Sequence, residues 1–416
     1  MDRRPEVMTE QNRLLDIQFS IKDKTRVLDL VSVILAAVFI LSFGIAIFVL
    51  PKKEFSEQEN RYLQTLPNIT LKRLLTDNKT SEEIGEFYAD QFPMRDIFVG
   101  IKSMGELGQL KAENNGVVLG KGGYIIKRGD HPSRETIANN LSSAALFGKR
   151  MEELGVGFTA AIAGRSVDVL HRYLPPVYPR DLSDDIWEFV GACADEFPEG
   201  SYFNLRAELK TLIDGGEPLY YRTDHHWTTL GAFYGYSAIA AKLGYGASVK
   251  LSDYTVSTAS DSFYGTTWSS SGMKWIKPDT IEFFDYEGSK DYRVEIADTG
   301  EIIEGFYDLS YLDVKDKYSV FIGGNNARVD VYKADASGNR IPGRETMIVI
   351  KDSFAHALAP FLAREYDLVL IDLRYYKKSV RELVAETGAA ETLIMMNLDS
   401  LAESNVLSIL RLKLDE

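Results

Sequence analysis

The amino-acid sequence predicts an α/β fold in which helices cover both faces of a parallel sheet, preceded by a transmembrane helix. Three observations support this prediction. An uncharged apolar run occupies residues 30–50, short apolar segments alternate with helical patterns from about residue 135 onward, and residues 249–335 are rich in β-branched and aromatic side chains. Strands buried on both faces read as continuous apolar runs, and helices between such strands allow them to pair in parallel.

The N-terminal segment predicts a membrane anchor. The uncharged run can cross an apolar bilayer core of about 30 Å at about 1.5 Å per residue. More basic residues precede the run than follow it, which predicts a cytoplasmic tail at 1–26, a transmembrane anchor at 27–50 and an external remainder. A cleaved signal peptide is the alternative, but the run is long for one and no small-x-small motif follows it. The basic residues are Arg3, Arg4, Arg13, Lys22, Lys24 and Arg26 before the run, and Lys52 and Lys53 after it.

Residues 51–114 are predicted to form a tether and a helical lead-in. The tether is polar, and helical periodicity then extends from Leu71 to Leu110. Pro93 interrupts that periodicity, because proline ends a helix when it falls inside one. The turn signal Asn115-Gly116 and the apolar segments after it predict a β-hairpin, which begins the main domain at 115–416.

Strands and helices alternate through this main domain. We expect strands at Val156–Ala163, Tyr202–Phe203, Met347–Ile350, Leu368–Ile371 and Leu393–Met396. We expect helices at Glu135–Leu154, Asp184–Phe197, Ser353–Arg364, Val380–Glu386 and Leu401–Leu412, and one that ends near Leu243. A β-rich insertion without a helix is predicted at about 249–335. Its glycine-flanked polar segment Tyr264–Gly272 could line a site.

Composition excludes some classes of partner. The chain of 416 residues has a formal net charge of −14, which disfavours nucleic acid as a partner because phosphate binding needs clustered Lys and Arg. Cys193 is the one cysteine, so no intrachain disulfide can form. No cofactor is expected.

The segment Asp224-His225-His226-Trp227 is the first candidate site. A helical pattern follows it, and Thr228 or Thr229 can cap that helix, so the cluster is predicted on a loop that opens a helix. Two surface histidines beside a capping turn are the alternative. A metal site is a second alternative, but adjacent histidines on one short loop rarely bind one ion, and no further cluster has ligand-like spacing.

Ser353 is the second candidate. It lies where an apolar strand meets a helix, and sites in sheets of this kind form beyond the carboxyl ends of the strands. The alternative role is that of N-cap to its own helix. A serine nucleophile needs a base, so His226 could take its proton while Asp224 orients the imidazole. The sequence therefore supplies a nucleophile, a base and an orienting carboxylate, provided that the fold brings the two loops together.

These motifs resemble those of the DHHW proteins, relatives of the alginate O-acetylation proteins in the SGNH hydrolase-like superfamily. The resemblance rests on residues 223–227 and 351–354, and it extends from about Phe55 to the C-terminus. Further motifs that look like the family are residues 55–61 (FSEQENR), 90–96 (DQFPMRD), 115–117 (NGV), 120–124 (GKGGY) and 372–376 (DLRYY). In the alginate relatives the cluster reads Asp-x-His-Trp, so the resemblance places Asp224 and His226 in a triad with Ser353, and His225 outside it.

The resemblance implies an SGNH hydrolase-like fold and an O-acetyltransferase that modifies a secreted or cell-surface polysaccharide. Because acetyl-CoA stays in the cytoplasm, it also implies a membrane-bound O-acyltransferase as acetyl supplier. Five residues are further candidates for binding donor or glycan, each with a surface or packing role as the alternative: Arg165, Arg222, Trp268, Arg374 and Tyr375. A polysaccharide acetylesterase with the same triad and a non-catalytic glycan-binding component of an acetylation complex remain the competing functions.

Overall fold

The computed structural model describes residues 10–56, 61–129, 132–179, 181–246 and 249–412. The contacts of the chain divide it into two units. The first holds the described residues up to Val99, and the second holds those from Gly100 onward. Residues 1–9 and Glu57–Asn60 carry part of the predicted basic tail and tether, and they lie outside the described residues. The domain boundaries drawn from the sequence stay predictions.

The first unit is mainly helical. Its strands are β1 (Phe55–Ser56) and β2 (Arg61–Tyr62), and its helices are α1 (Glu10–Val49), α2 (Leu71–Thr76), α3 (Asn78–Asp90) and the start of α4 (Arg95–Gly108). Among the described residues, the part of α1 from Arg26 to Val49 is 24 residues long and apolar enough to cross a membrane. An N-terminal apolar helix is therefore present, whereas its role as anchor or signal sequence and its orientation stay predictions.

The second unit contains the remaining elements. Its helices after α4 are α5 (Arg134–Glu153), α6 (Ser166–Val169), α7 (Asp181–Ala194), α8 (Leu205–Gly215), α9 (Thr229–Lys242), α10 (Thr266–Ser271), α11 (Phe354–Leu362), α12 (Val380–Thr387), α13 (Leu398–Glu403) and α14 (Ile409–Leu412). Its strands are β3 (Glu113–Asn114), β4 (Val117–Leu119), β5 (Ile125–Lys127), β6 (Gly157–Ala163), β7 (Tyr202–Asn204), β8 (Thr255–Phe263), β9 (Asp279–Asp285), β10 (Tyr292–Ile296), β11 (Glu301–Glu304), β12 (Arg328–Lys333), β13 (Thr346–Lys351), β14 (Asp367–Ile371) and β15 (Glu391–Asn397). The predicted hairpin is present as β4 and β5.

An eight-stranded sheet organises this unit, in the order β11-β10-β12-β14-β13-β15-β6-β7. The strands β14, β13, β15, β6 and β7 pair in parallel. Alternate side chains of β13 enter two different cores, because successive residues of a strand point to opposite faces. Val349 belongs to a core that includes side chains of α8, α9 and α11, whereas Ile348 and Ile350 belong to a core that includes side chains of α5, α7 and α12. The predicted α/β class, with helices on both faces of a central sheet, is confirmed.

The β-rich stretch differs from the prediction in two ways. Its strands β10, β11 and β12 join the main sheet in antiparallel pairing, so the sheet is mixed rather than parallel throughout. The stretch also contains the short helix α10, where the sequence predicts none. Serine and threonine are indifferent helix formers, so this helix leaves no periodic apolar pattern and depends on contacts with other parts of the chain.

The predicted C-terminal helix Leu401–Leu412 is wrong, because α13 ends at Glu403 and α14 begins only at Ile409. The buried side chain of Asn140 accounts for the break. Its amide nitrogen donates to the carbonyl oxygens of Leu401 and Ser404, at 2.9 and 2.8 Å, and its oxygen accepts from the Leu407 N–H at 2.9 Å. These bonds satisfy backbone groups that a continuous helix would pair internally.

Candidate active site

The serine lies on a fixed turn between β13 and α11. Asp352 holds that turn, because its carboxylate accepts the Phe354 N–H at 2.9 Å and the Asn397 N–H and Ser400 hydroxyl at 2.7 Å each. The Ser353 hydroxyl does not cap α11. Asp352, rather than Ser353, therefore accepts a first-turn N–H of α11, and the Ser353 oxygen takes no part in capping that helix.

The histidine loop lies between α8 and α9. As predicted, Thr228 caps α9 by accepting the Gly231 N–H at 3.1 Å. Trp227 is fully buried, and its indole N–H donates to the Phe354 carbonyl oxygen at 3.0 Å. That bond joins the histidine loop to the residue that follows the serine, although more than a hundred residues separate the two segments in the chain.

The two loops bring Asp224, His226 and Ser353 into one hydrogen-bonded chain. His226 Nε2 lies 2.6 Å from Ser353 Oγ, and His226 Nδ1 lies 2.5 Å from Asp224 Oδ1. Asp224 and His226 are 3% and 6% exposed. Burial acts to raise the pKa of Asp224, but the adjacent His225 and His226 and its hydrogen bonds hold that pKa well below its usual value. The carboxylate therefore stays charged and can orient the imidazole.

Two residues that the sequence analysis did not single out hold this arrangement. Thr266, at the start of α10, donates its N–H and hydroxyl to Asp224 Oδ2 at 2.7 and 3.0 Å. The ring of Tyr318 stacks on the ring of His226, with centroids 3.9 Å apart and planes inclined by 10°. The one signal for Thr266 was the polar segment Tyr264–Gly272, which does line the site. No local pattern distinguishes Tyr318.

His225 lies outside the hydrogen-bonded chain from Asp224 to Ser353. Its Nδ1 lies 2.8 Å from the Thr266 hydroxyl, and its ring lies 3.8 Å from that of His226. One ligand atom from each of Asp224, His225 and His226 comes within 4.8 Å of the others, the spacing that a metal ion would need. Each residue already hydrogen-bonds the serine, the threonine or its neighbour, so an ion would have to displace those bonds.

A buried basic pair lies beside the serine turn. Lys351, at the end of β13, has its ammonium 2.7 Å from His356 Nε2 in the first turn of α11. Burial lowers the pKa of Lys351 to about 8 and lowers the pKa of His356 well below its usual value. A neutral His356 can accept a hydrogen bond from Lys351, which ties the strand before the serine to the helix after it.

A polar pocket of about 410 Å³ opens over the serine. Its lining includes His225, Thr266, Ser270, Ser353, Asn397 and Asp399. The pocket also includes Arg374, whose guanidinium binds Asp372 at 2.5 Å. Polar groups of both signs around a serine suit a ligand rich in hydroxyl groups, since such a ligand both donates and accepts hydrogen bonds.

Of the five further binding candidates, Arg374 alone lines this pocket. Arg165 is buried against Asp168 and lines a separate cavity of about 410 Å³. Arg222 pairs with Asp279, and the ring of Trp268 is buried beneath two lysine ammonium groups. Tyr375 is 51% exposed beside Arg374. Binding roles for all five stay predictions.

Two protein-family models match parts of the chain that include these loops. Residues 210–372 match the family model described as DHHW protein, and residues 126–277 match the one described as SGNH hydrolase-like domain, acetyltransferase AlgX. Both candidate loops lie within the first match. Comparison with curated protein sequences gives no match.

Two solved structures share the fold. A DHHW family protein from Eubacterium siraeum is 22% identical, with a TM-score of 0.57 over 71% of this chain and 95% of that one. PatB1 from Bacillus cereus, whose structure is also solved with a sulfonyl adduct, is 17% identical, with a TM-score of 0.55 over 70% of this chain and 98% of that one. At these identities the likeness shows the fold.

Proposed function

Because the chain carries a DHHW family domain and matches an SGNH hydrolase-like acetyltransferase model, we propose that it is a polysaccharide O-acetyltransferase with Ser353 as nucleophile. The observation that carries the proposal is the hydrogen-bonded chain from Asp224 through His226 to Ser353. The same order of groups activates serine in unrelated hydrolases and transferases, where geometry rather than sequence position defines the triad.

In the first half-reaction Ser353 Oγ attacks the carbonyl carbon of an acetyl donor. His226 Nε2 accepts the hydroxyl proton as the new C–O bond forms, and it then returns that proton to the leaving group. Asp224 accepts the Nδ1–H of His226 and stabilises the imidazolium that exists in between. In the second half-reaction a sugar hydroxyl transfers its proton to His226 and attacks the acetyl-serine, which releases the acetylated sugar and restores the Ser353 hydroxyl.

The start of α11 supplies a donor for the oxyanion of each tetrahedral intermediate. The Phe354 N–H is already bound to Asp352. Among the residues that the structure describes, the Ser353 N–H donates no hydrogen bond, and in the proposed mechanism it donates to the oxyanion. A backbone donor in this position stabilises the negative charge that develops on the carbonyl oxygen.

The apolar helix in α1 supports anchoring of this domain to a membrane with the domain outside and the N-terminus in the cytoplasm. An external enzyme needs acetyl groups delivered across the membrane, and a membrane-bound O-acyltransferase is the partner that would supply them. The acceptor would then be a secreted or cell-surface polysaccharide.

The decisive experiment offers the purified full chain an activated acetyl ester, with and without acetyl-free polysaccharide oligomers. Mass spectrometry measures acetylated oligomer, free acetate and acetyl-Ser353. We expect acetylated oligomer to exceed the acetate released, whereas an acetylesterase would release acetate alone and a non-catalytic binding protein would form neither product.

Ser353→Ala should abolish acetyl-enzyme formation and lower turnover by about 10⁴-fold or more, because only the nucleophilic oxygen is removed. Ser270→Ala is the matched control, since Ser270 lines the same pocket outside the triad. Its turnover should stay within a few-fold of that of the parent. Undiminished acetyl transfer by Ser353→Ala would end the proposal.

A further inference from the structure

A carboxylate in the pocket over Ser353 lacks a hydrogen-bond donor. Asp399 lines that pocket, and its side chain is 32% exposed. Its ion-pair partner is Arg165, whose Nε lies 3.9 Å away and already donates to Asp168 at 2.8 Å. Among the residues that the structure describes, no N–H or O–H group donates a hydrogen bond to the Asp399 carboxylate. A mostly buried carboxylate is stabilised by such donors, so a ligand that supplies them would bind here.

The other charged groups of the pocket have partners within the protein. Asp352 accepts three hydrogen bonds on the serine turn. Lys127 lies 3.5 Å from Glu403, and Arg374 binds the carboxylate that precedes it by two residues. Within the part of the chain that the structure describes, Asp399 therefore differs from these groups in having no hydrogen bond to its side chain.

Asp399 and Ser353 lie along the same edge of the central sheet. Ser353 follows β13, and Asp399 lies two residues beyond β15, which pairs with β13 in parallel. Neighbouring strands are about 4.8 Å apart, and sites in such sheets form beyond the carboxyl ends of the strands. The Asp399 N–H donates to the side-chain oxygen of Asn397 at 2.9 Å, which fixes the backbone at the start of α13. A molecule that reaches the serine can therefore also contact this carboxylate.

We propose that Asp399 binds the acceptor sugar by accepting a hydrogen bond from a hydroxyl group next to the one that receives the acetyl group. Burial raises the pKa of the Asp399 carboxyl group to about 6, so the group is ionised at neutral pH. An ionised carboxylate only accepts hydrogen bonds, so it suits the hydroxyl groups of a neutral sugar and repels the carboxylate of a uronic acid. The acceptor class is therefore a neutral sugar with neighbouring free hydroxyl groups. This assignment rests on the proposed acetyl transfer at Ser353 and adds the recognition of its acceptor.

The partition of the acetyl group between small alcohols and water tests the proposal, because this ratio does not depend on how fast Ser353 is acetylated. The purified full chain receives p-nitrophenyl acetate with glycerol, 1-propanol or glycerate at equal concentration. Glycerol and 1-propanol both offer a primary hydroxyl group, but only glycerol has a second one beside it. Glycerate carries a carboxylate in place of one hydroxymethyl group of glycerol. Mass spectrometry measures the acetyl ester, free acetate and acetyl-Ser353.

For the parent, we expect the ratio of ester to acetate to be about tenfold or more higher with glycerol than with 1-propanol or glycerate, because a hydrogen bond to a charged group is lost with 1-propanol and opposed by repulsion with glycerate. Asp399→Ala should remove the preference for glycerol over 1-propanol. Asp399→Asn keeps a neutral acceptor oxygen, so it should lose the discrimination against glycerate and retain part of the preference for glycerol. Both variants should form acetyl-Ser353 at the parent rate.

Glu403→Gln is the matched control, because it removes a carboxylate of the same pocket that is exposed and paired with Lys127. Its ratios should equal those of the parent. Equal ratios for the three acceptors in the parent, or transfer to none of them, would overturn the proposal. An unchanged preference for glycerol in Asp399→Ala, or an unchanged discrimination against glycerate in Asp399→Asn, would overturn it as well. Absence of acetyl-Ser353 in the parent would instead contradict the proposed function, on which this assignment rests.

Discussion

The Thr266 hydroxyl helps to hold the Asp224 carboxylate, which orients the His226 ring in the proposed mechanism. That hydroxyl lies between Asp224 Oδ2 at 3.0 Å and His225 Nδ1 at 2.8 Å. Thr266→Val keeps the shape of the side chain and removes these contacts, while the backbone N–H still binds the carboxylate. A hydrogen bond to a charged group contributes about 1.5–3 kcal/mol, so acetyl transfer should fall by about tenfold or more.

The value of kcat/KM for acetyl transfer measures this effect. Thr267→Val is the matched control, because Thr267 follows in the same helix and lines the same pocket without bonding the carboxylate. Equal rates for the two variants would show that Thr266 has no part in orienting Asp224.

Asp399 should make stability depend on pH. Burial raises its pKa to about 6, against a usual value of 3.8, although Arg165 lies 3.9 Å away. Between these two values the folded state binds more protons than the unfolded state, so the free energy of unfolding falls as pH rises from about 4 to about 6. Asp399→Asn removes this contribution and should gain stability relative to the parent as pH rises through that window.

Urea unfolding at intervals from pH 4 to pH 7 measures the difference between variant and parent. Glu403→Gln is the control, since the Glu403 side chain is 68% exposed at the rim of the same pocket. A difference between Asp399→Asn and the parent that does not change with pH would contradict the prediction.

For single residues, the sequence identifies those of uncommon type that lie in an informative local sequence pattern. Asp224, His226 and Ser353 could be singled out, because histidine pairs and a serine between strand and helix are informative by themselves. Thr266 and Tyr318 could not be found in this way, since threonines and tyrosines are common and their contacts with Asp224 and His226 span long stretches of chain. Proximity in sequence can also mislead. Arg222 lies two residues before Asp224, but its guanidinium pairs with Asp279.

Gly265, which precedes helix α10, has no room for a side chain. A Cβ atom on Gly265 would lie 2.3 Å from the Asp224 carboxylate. Gly265→Ala should therefore displace Asp224 or the start of α10, and lower the rate of serine acylation about 100-fold, because small misplacements of catalytic groups are costly. Rapid-mixing measurement of acetyl-enzyme formation tests this.

Gly191→Ala provides the control for the same chemical change. Gly191 lies inside α7 with no atom within 4 Å of the added methyl group. This substitution should leave acylation unchanged and stabilise the helix by about 0.5–1 kcal/mol. Similar losses in both variants would show that Gly265 is not specifically constrained by the carboxylate.

Elements with strong patterns were predicted, and those that depend on distant partners were not. The strands β13 and β14 are buried along their whole length, and each has a continuous apolar run in the sequence. Helix α10 carries no such run, since five of its six residues are threonine or serine. The break after α13 depends on the buried amide of Asn140, about 260 residues earlier, which no local pattern reveals.

For the whole molecule, the proposed topology predicts where proteases act. If α1 crosses the membrane with the N-terminus inside, protease added to intact cells should degrade the domain that follows, whereas an epitope tag placed before Met1 should survive. Immunoblots for the tag and the domain give the result, and permeabilised cells provide the control. Survival of the domain in intact cells together with loss of the tag would reverse the topology.

The class of the main domain could be predicted from alternating patterns, but its strand order could not. Parallel pairing of five strands follows from the helices between them. The positions of β10, β11 and β12 depend on β12 pairing with β14 in antiparallel register, at Arg328 with Ile371 and Val331 with Leu368. Apolar alternation is the same for a separate sheet and for an edge of the main one, so the sequence alone predicts an insertion here.

The Asp352 carboxylate binds residues that follow it by 45 and 48 positions, so these contacts determine when the site can form during synthesis. A ribosome that has completed the histidine loop must still translate 127 residues before the chain contains its partner serine. The turn around that serine then waits for Asn397 and Ser400, 45 and 48 residues later. In the proposed mechanism a nascent chain therefore cannot form acetyl-Ser353 until β15 and Ser400 have been made.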